Sequence, residues 1–170
     1  MLFRSLLPIF AKDIFGVGPA GLGVLRTMPA IGALACTGVL TLTGVGGRAG
    51  LKMFACVIGF GLATIGFGLS TNFYVACGFL LILGAVDMVS VMIRHVLVQL
   101  ETPDAMRGRV SAVASIFVGA SNELGEFESG ALAALVGPVA SVVIGGAGAI
   151  VVALAWMKMF PQLRNADRLT

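Results

Sequence analysis

The residues of this sequence that could do chemistry are charged or polar side chains inside long apolar segments. Asp87 and Arg94 interrupt one such segment, and Asn122, Glu123 and Glu126 interrupt another. A charge near the centre of a bilayer costs at least about 2.5–3.5 kcal/mol, so charged residues persist there when they pair, face water or bind a substrate. We therefore predict that these five residues belong to a substrate or ion pathway.

Helical spacing sorts the charges into separate groups. Asp87 and Arg94 are seven positions apart, which puts them on one helix face, about 10 Å apart along the axis. Glu123 and Glu126 share a face of a different helix. The alternative to a pathway is a set of interhelical ion pairs that holds the bundle together, and for Asp87 and Arg94 the sequence leaves both open. For Glu123 and Glu126 we favour function, because two adjacent carboxylates need more positive charge than one arginine supplies.

Two other charged or titratable residues in these segments are assigned different roles. Glu128 lies about 160° around the helix from Glu126, and we expect it in a buried ion pair or hydrogen bond at a helix contact. His95 follows Arg94 but is turned about 100° away from it. A single histidine at such a place is more often packed or interfacial than part of a proton relay.

Membrane helices must position these side chains. The chain has 170 residues, of which 58% are hydrophobic and 11% are charged, whereas average soluble domains are about 45–50% apolar and about 25% charged. A water-soluble fold of this size could not cover its surface with so few polar groups. The net charge of +3 does not indicate a nucleic-acid partner, because the basic residues are scattered and most flank apolar runs. The composition predicts an all-α integral membrane bundle in a lipid bilayer.

Glycine, proline and small polar residues divide the chain into spans within one transmembrane domain, 1–170. A spanning helix needs about 20 mostly apolar residues. Five full spans are predicted, at 19–43, 51–70, 72–100, 109–135 and 138–160. Residues 1–11 are long enough for only half a bilayer, so we expect them to end a sixth span, with Met1 as an internal methionine.

Small residues on the last two spans predict close helix packing. Twenty-four glycines are present, and small side chains let membrane helices approach each other. These residues form two surfaces: Ser121, Gly125, Ser129 and Ala133 on one span, and Gly145, Gly146, Gly148 and Ala149 on the next. This pattern favours a compact bundle over isolated membrane anchors.

Lysine and arginine are distributed asymmetrically about the spans, and cytoplasmic loops of membrane proteins carry the excess of these residues. Lys12 alone flanks one side, whereas the other side is flanked by Arg48, Lys52, Arg107, Arg109, Lys158, Arg164 and Arg168. We therefore expect the 44–52 loop, the 101–108 loop and the C-terminus in the cytoplasm, and the protein in the inner cell membrane.

Catalytic, cofactor and metal motifs are absent from the sequence. It contains no HExxH and no GxSxG, and the glycine-rich run at 44–52 lacks the Lys-Ser/Thr pair of a phosphate-binding loop. Cys36, Cys56 and Cys77 lie in apolar runs without metal-ligand spacing, as small packing residues do. We therefore predict no enzyme activity, no cofactor and no metal site.

Two loops resemble motifs of a known transporter family. Residues 102–110, TPDAMRGRV, resemble the P-x-x-x-R-G-R element of the major facilitator superfamily, with Arg107, Gly108 and Arg109 in the matching positions. The 44–52 loop resembles a degenerate form of the family's glycine- and arginine-rich loop. Its matching residues are Arg48, Gly50 and Lys52, and Gly47 stands where the family has an acidic residue.

Longer strings narrow the resemblance to one branch of that family. LLPIFAKDIFGVGPAGLGVLR, GAVDMVSVMIRHVLVQLETPDAMRGRVSAV and GASNELGEFESG look like the enterobactin-exporter-like branch, which exports drugs or siderophores. The family has two six-helix halves with the substrate bound between them near the midplane. The resemblance implies that this chain is the C-terminal half, helices seven (partial) to twelve.

The same resemblance implies a function and a set of partners. The implied function is proton-coupled export of a small molecule by alternating access. The implied partner is an N-terminal six-helix half, which is missing from this chain. The rival hypothesis is a non-transporting helical membrane subunit that packs against a partner protein.

Overall fold

Glycine, proline and asparagine set the limits of the helices in the computed structural model, which describes residues 5–43 and 49–159. Gly16 and Gly18 have φ of 62° and 65°, and Gly137 has φ of 89°. Residues with a Cβ rarely adopt such angles, so these glycines end one helix and let the chain turn into the next. Asn72 caps the helix that follows it, because its Oδ1 accepts a hydrogen bond from the Tyr74 amide at 2.9 Å.

Helices make up almost all of the described ranges, which contain no strand. The α-helices are α1 (Leu7–Ile9), α2 (Gly18–Thr43), α3 (Ala49–Leu69), α4 (Phe73–Glu101), α5 (Arg107–Val136) and α6 (Pro138–Met159). A π-helical segment, Phe10–Ile14, continues α1, and a 3₁₀ turn, Asp104–Met106, precedes α5. The predicted all-α membrane bundle is confirmed, and α2 to α6 begin and end within about two residues of the predicted spans.

Four of the described helices, α2, α3, α4 and α6, are long and apolar enough to cross a membrane. Helix α5 has 30 residues and is therefore long enough to span. Its three glutamates and several serines make it more polar than the other four. The five predicted spans thus correspond to four apolar helices and one polar helix of spanning length.

The long helices pack in a linear series. Helix α2 packs on α4, α4 on α3, α3 on α6, and α6 on α5. The main core lies near the N-terminal segment, where the Phe10 ring packs on Phe67 of α3 with centroids 4.9 Å apart. Helices α2 and α5 are the two ends of this series, so each packs extensively on only one other long helix.

Four glycines set the closest helix contacts. Gly32 and Gly84 bring α2 and α4 so close that a Cβ at either position would collide with the backbone of the other helix. Gly61 and Gly146 do the same for α3 and α6, where a Cβ on Gly61 would lie 2.7 Å from the Gly146 carbonyl oxygen. Small residues therefore lock α2 to α4 and α3 to α6.

The contact between α5 and α6 is confined to one end of α5. Ser129 is buried there, and its carbonyl oxygen accepts a hydrogen bond from the Ser141 hydroxyl at 3.0 Å. Ser121, at the other end of the predicted strip, is exposed. On α6, Gly146 packs closely while Gly148 faces open space. The predicted close packing of small residues is thus present along only part of each strip.

Candidate substrate and ion pathway

A cavity of about 230 Å³ lies where α3, α4 and α6 meet. Asp87, Ser90 and Arg94 form its polar wall, and their spacing puts them on one face of α4. The remaining wall is formed by Cys56, Val57, Phe60, Val86 and Ala149. We call this space the α4 cavity. Two opposite charges and a hydroxyl between apolar walls can bind a small polar ligand or ordered water.

Asp87 and Arg94 share the cavity without pairing to each other. The ion pair between Arg107 and Asp104 lies elsewhere, and no ion pair joins Asp87 to Arg94. Asp87 is half-buried at the midpoint of α4, and Arg94 is exposed, two turns closer to the C-terminal end of that helix. Among the described residues, neither Asp87 nor Arg94 forms an ion pair with another helix, so the interhelical pairs of the alternative interpretation are not seen for these two residues.

Two cavity residues that carry a hydroxyl or a thiol, Ser90 and Cys56, were not predicted as pathway residues. Ser90 is 8% exposed and lines the cavity between the two charges. Its spacing, three residues after Asp87 and four before Arg94, was the signal in the sequence. Cys56 was interpreted only as a packing residue, because nothing in the sequence shows which face of α4 it meets.

Glu123 and Glu126 lie on α5, away from the α4 cavity. Glu123 is exposed and Glu126 is half-buried beside the contact with α6. They share one side of α5 with Gly119 and Gly130, where an added Cβ would meet no neighbouring atom within 4 Å. We call Gly119, Glu123, Glu126 and Gly130 the acidic flank. The predicted pathway residues thus divide between the α4 cavity and this open surface, and Asn122 is also exposed on α5.

The prediction for Glu128 is wrong. Glu128 is exposed and forms no ion pair with another described residue. It lies on the side of α5 opposite the acidic flank, where no described helix covers it. His95 is exposed near the C-terminal end of α4.

The Arg-Gly-Arg motif joins α4 to α5. The Arg107 guanidinium binds the Asp104 carboxylate at 2.7 Å, and its Nε donates to the Gln99 carbonyl oxygen at 3.3 Å. Arg107 therefore holds the turn against the last turn of α4. Gly108 and Arg109 are exposed, and a Cβ on Gly108 would meet nothing within 4 Å.

The other loop motif falls partly outside the described residues, since Arg48 and Gly47 lie there. Gly50 is buried and Lys52 is exposed in the first turn of α3. Arg164 and Arg168 also lie outside the described ranges. Within those ranges, no three His, Cys, Asp or Glu residues come together as metal ligands would.

Comparison with curated proteins shows relatives along almost the whole chain. The chain is 29% identical over 164 residues to the protein named enterobactin exporter EntS of Citrobacter koseri, and 28% identical over the same length to that of Escherichia coli K12. Each alignment covers 95% of this chain but 39% of the relative. No family model and no solved structure matches the chain. The relatives confirm the resemblance predicted from the sequence motifs.

Proposed function

Because this chain is a homologue of exporters in the major facilitator superfamily, we propose that it forms the C-terminal half of a secondary transporter. The proposed substrate is a small molecule such as a drug or a siderophore. The observation that carries the proposal is the α4 cavity, with Asp87 at mid-helix in a multi-pass membrane bundle. A charge at that depth is costly, and marks ion or substrate pathways in membrane proteins.

The proposed mechanism is alternating access between two helical halves. This chain supplies one wall of the pathway, and a second helical half supplies the other. Asp87 receives a proton or a cationic group of the substrate, and Arg94, about 10 Å away along α4, receives an anionic group. Ser90 lies between them and donates or accepts a hydrogen bond. Glu123 and Glu126 contribute negative charge where the second half meets α5.

The test is flux through a reconstituted transporter that contains both halves. Asp87→Asn and Glu126→Gln keep side-chain shape and remove the charge, so we expect each to reduce flux at least about tenfold while membrane expression stays normal. Glu128→Gln is the matched control, because it makes the same change on the opposite side of α5, and it should retain flux. Wild-type flux with unaltered pH dependence in both test variants would contradict the proposal.

We also propose that the protein lies in the inner membrane and that its C-terminus is in the cytoplasm. Lys158 and the arginines beyond it supply the positive charge that favours this side. A reporter fused after Thr170 should be active only if it is a type that works in the cytoplasm. Activity of a strictly periplasmic reporter at this position would reverse the orientation.

A non-transporting subunit is the second candidate, and the exposure of most of α5 is the observation that favours it. On this hypothesis α5 is a binding surface for a partner protein. Changes on α5 would then reduce association with the partner, whereas Asp87→Asn would leave every function of the complex unchanged. The flux experiment therefore separates the two candidates.

A further inference from the structure

The α4 cavity has a mouth at the end of the bundle where α3 begins and where α4 and α6 end. Arg94 lines the cavity on α4 and is exposed. Lys52 is also exposed, and it lies one turn before the lining residue Cys56, about 40° away around α3. Trp156 is 52% exposed and lies about 20° around α6 from the lining residue Ala149. We call Lys52, Arg94 and Trp156 the cavity mouth.

The two cations of the mouth lie at the same depth. Helices α3 and α4 are antiparallel, and an added Cβ on Gly59 would touch Val86. Two helical turns from this contact toward the mouth lead to Lys52 on α3 and to the residue before Arg94 on α4. The two cations are therefore within about 2 Å of each other along the bundle axis.

Trp156 lies within one helical turn of that depth. Helices α3 and α6 are antiparallel, and an added Cβ on Gly61 would contact Ile150. Trp156 is about 9 Å beyond this contact along α6, and Lys52 is about 14 Å beyond it along α3, in the same direction. The mouth therefore presents two cations and an aromatic ring at nearly one level.

This level is an edge of the hydrocarbon core. Helix α4 has 29 residues and is about 44 Å long, whereas the core is about 30 Å thick. The short turn at 70–72 puts the start of α4 at one membrane surface, and Arg94 is about 32 Å along the axis from that start. Lipid headgroups lie just outside the core, where tryptophan is also enriched.

The charges of the mouth favour an anion. Arg94 forms no ion pair with another described residue. Asp87 is the one acidic residue among those that line the cavity, and it lies about 10 Å deeper than Arg94. Among the lining and mouth residues, two cations at headgroup level thus outnumber one deeper carboxylate.

We propose that the cavity mouth binds the headgroup of an anionic phospholipid. The lipid phosphate accepts hydrogen bonds from the Arg94 guanidinium and the Lys52 ammonium group. The Trp156 ring packs beside the glycerol backbone, at the depth where tryptophan is enriched. Val57 and Phe60, on the α3 wall below the mouth, contact the first methylene groups of an acyl chain.

This inference goes beyond the proposed function, since the lipid is bound and not transported. In the proposed mechanism Arg94 also receives an anionic group of the substrate, so a lipid phosphate and that group compete for one guanidinium. Lipid binding is measured without flux, so a failure of either statement leaves the other standing.

The experiment uses the fluorescence of Trp156, the single tryptophan of this chain. The chain is reconstituted with its second half in phosphatidylcholine bilayers that contain a small fraction of phosphatidylglycerol, and tryptophans outside this chain are replaced by phenylalanine. One of the two lipids is brominated near the top of its acyl chains, and bromine quenches an adjacent indole. At equal fraction, we expect brominated phosphatidylglycerol to quench Trp156 several-fold more strongly than brominated phosphatidylcholine.

Two variants remove one cation each from the mouth. Lys52→Gln and Arg94→Gln should each lower the preference for phosphatidylglycerol about fivefold, because each lysine or arginine near the surface attracts anionic lipid. Arg94→Lys keeps a charge that can bind phosphate, and it should stay within about twofold of wild type. Circular dichroism checks that each variant remains helical.

Lys158→Gln is the matched control. Lys158 is exposed and lies within about 2 Å of the depth of Lys52, but on the side of α6 opposite Ala149 and the cavity. The substitution removes the same charge at the same level of the membrane. It should therefore leave the preference within about twofold of wild type.

Three results would overturn the inference. The first is equal quenching of wild type by the two brominated lipids. The second is an equal loss of preference with Lys158→Gln and with the mouth variants, which would indicate attraction to the surface charge in general. The third is a loss of preference caused by inorganic phosphate but not by sodium chloride at equal ionic strength, since the mouth would then bind a free anion.

Discussion

The α4 cavity and the acidic flank contain similar residues in opposite surroundings. Asp87 is half-buried in a cavity between three helices, two of which are held together by Gly61 and Gly146. Glu123 lies on a helix that packs on one neighbour over part of its length, and it is exposed. A ligand bound inside this chain can supply a hydrogen bond or a positive charge to a carboxylate in the first setting. A carboxylate in the second setting must receive them from outside the chain. The difference lies in the packing of the helices and not in the residues themselves.

That comparison depends on helices α2, α4, α3 and α6 forming a rigid unit to which α5 is attached more loosely. Backbone contact at glycines holds α2 to α4 and α3 to α6, and a side chain at those glycines would separate each pair. A short contact around Ser129 and Ser141 holds α5. Substitutions in the two regions should therefore differ in the size of their effects.

The largest effect is expected at the contact between α2 and α4. Gly84→Val places a branched side chain where even a Cβ would collide with the backbone at Pro29, so it should destabilise the protein by about 3 kcal/mol or more. Thermal unfolding in detergent measures the loss. Gly78→Val is the control on the same helix, because an added Cβ there meets nothing within 4 Å. Equal destabilisation by the two substitutions would show that α2 and α4 are not in close contact.

A smaller effect is expected where α5 is attached. Ser141→Ala removes the hydrogen bond to the Ser129 carbonyl oxygen, so it should cost about 1 kcal/mol. The loss should appear first as faster hydrogen exchange in the C-terminal half of α5, while α3 and α4 keep their protection. Ser115→Ala is the control, since its hydroxyl bonds within α5 to the Ser111 carbonyl oxygen and is exposed. A loss of protection that begins in α3 instead would mean that α5 is not the loosely attached helix.

Much of the fold could be predicted from the sequence because the signals are local. Apolar length and the glycines at 16, 18 and 137 define where helices begin and end. The shared face of Asp87 and Arg94 follows from helical geometry alone. Spacing would also have identified Ser90. These properties need no knowledge of any neighbouring helix.

The rest depended on which helices meet, and only the tertiary structure decided it. Spacing puts Asp87 and Arg94 on one face but does not show that Cys56 and Phe60 of α3 and Ala149 of α6 complete a cavity around them. Glu128 was expected in a buried contact and is exposed, because α6 covers a different side of α5. Along a helix, each residue's position is determined by its neighbours in the chain. The relative position of two helices depends on which small-residue faces meet. In this sequence several helices carry glycine-rich faces, and the sequence does not show which of these faces contact each other.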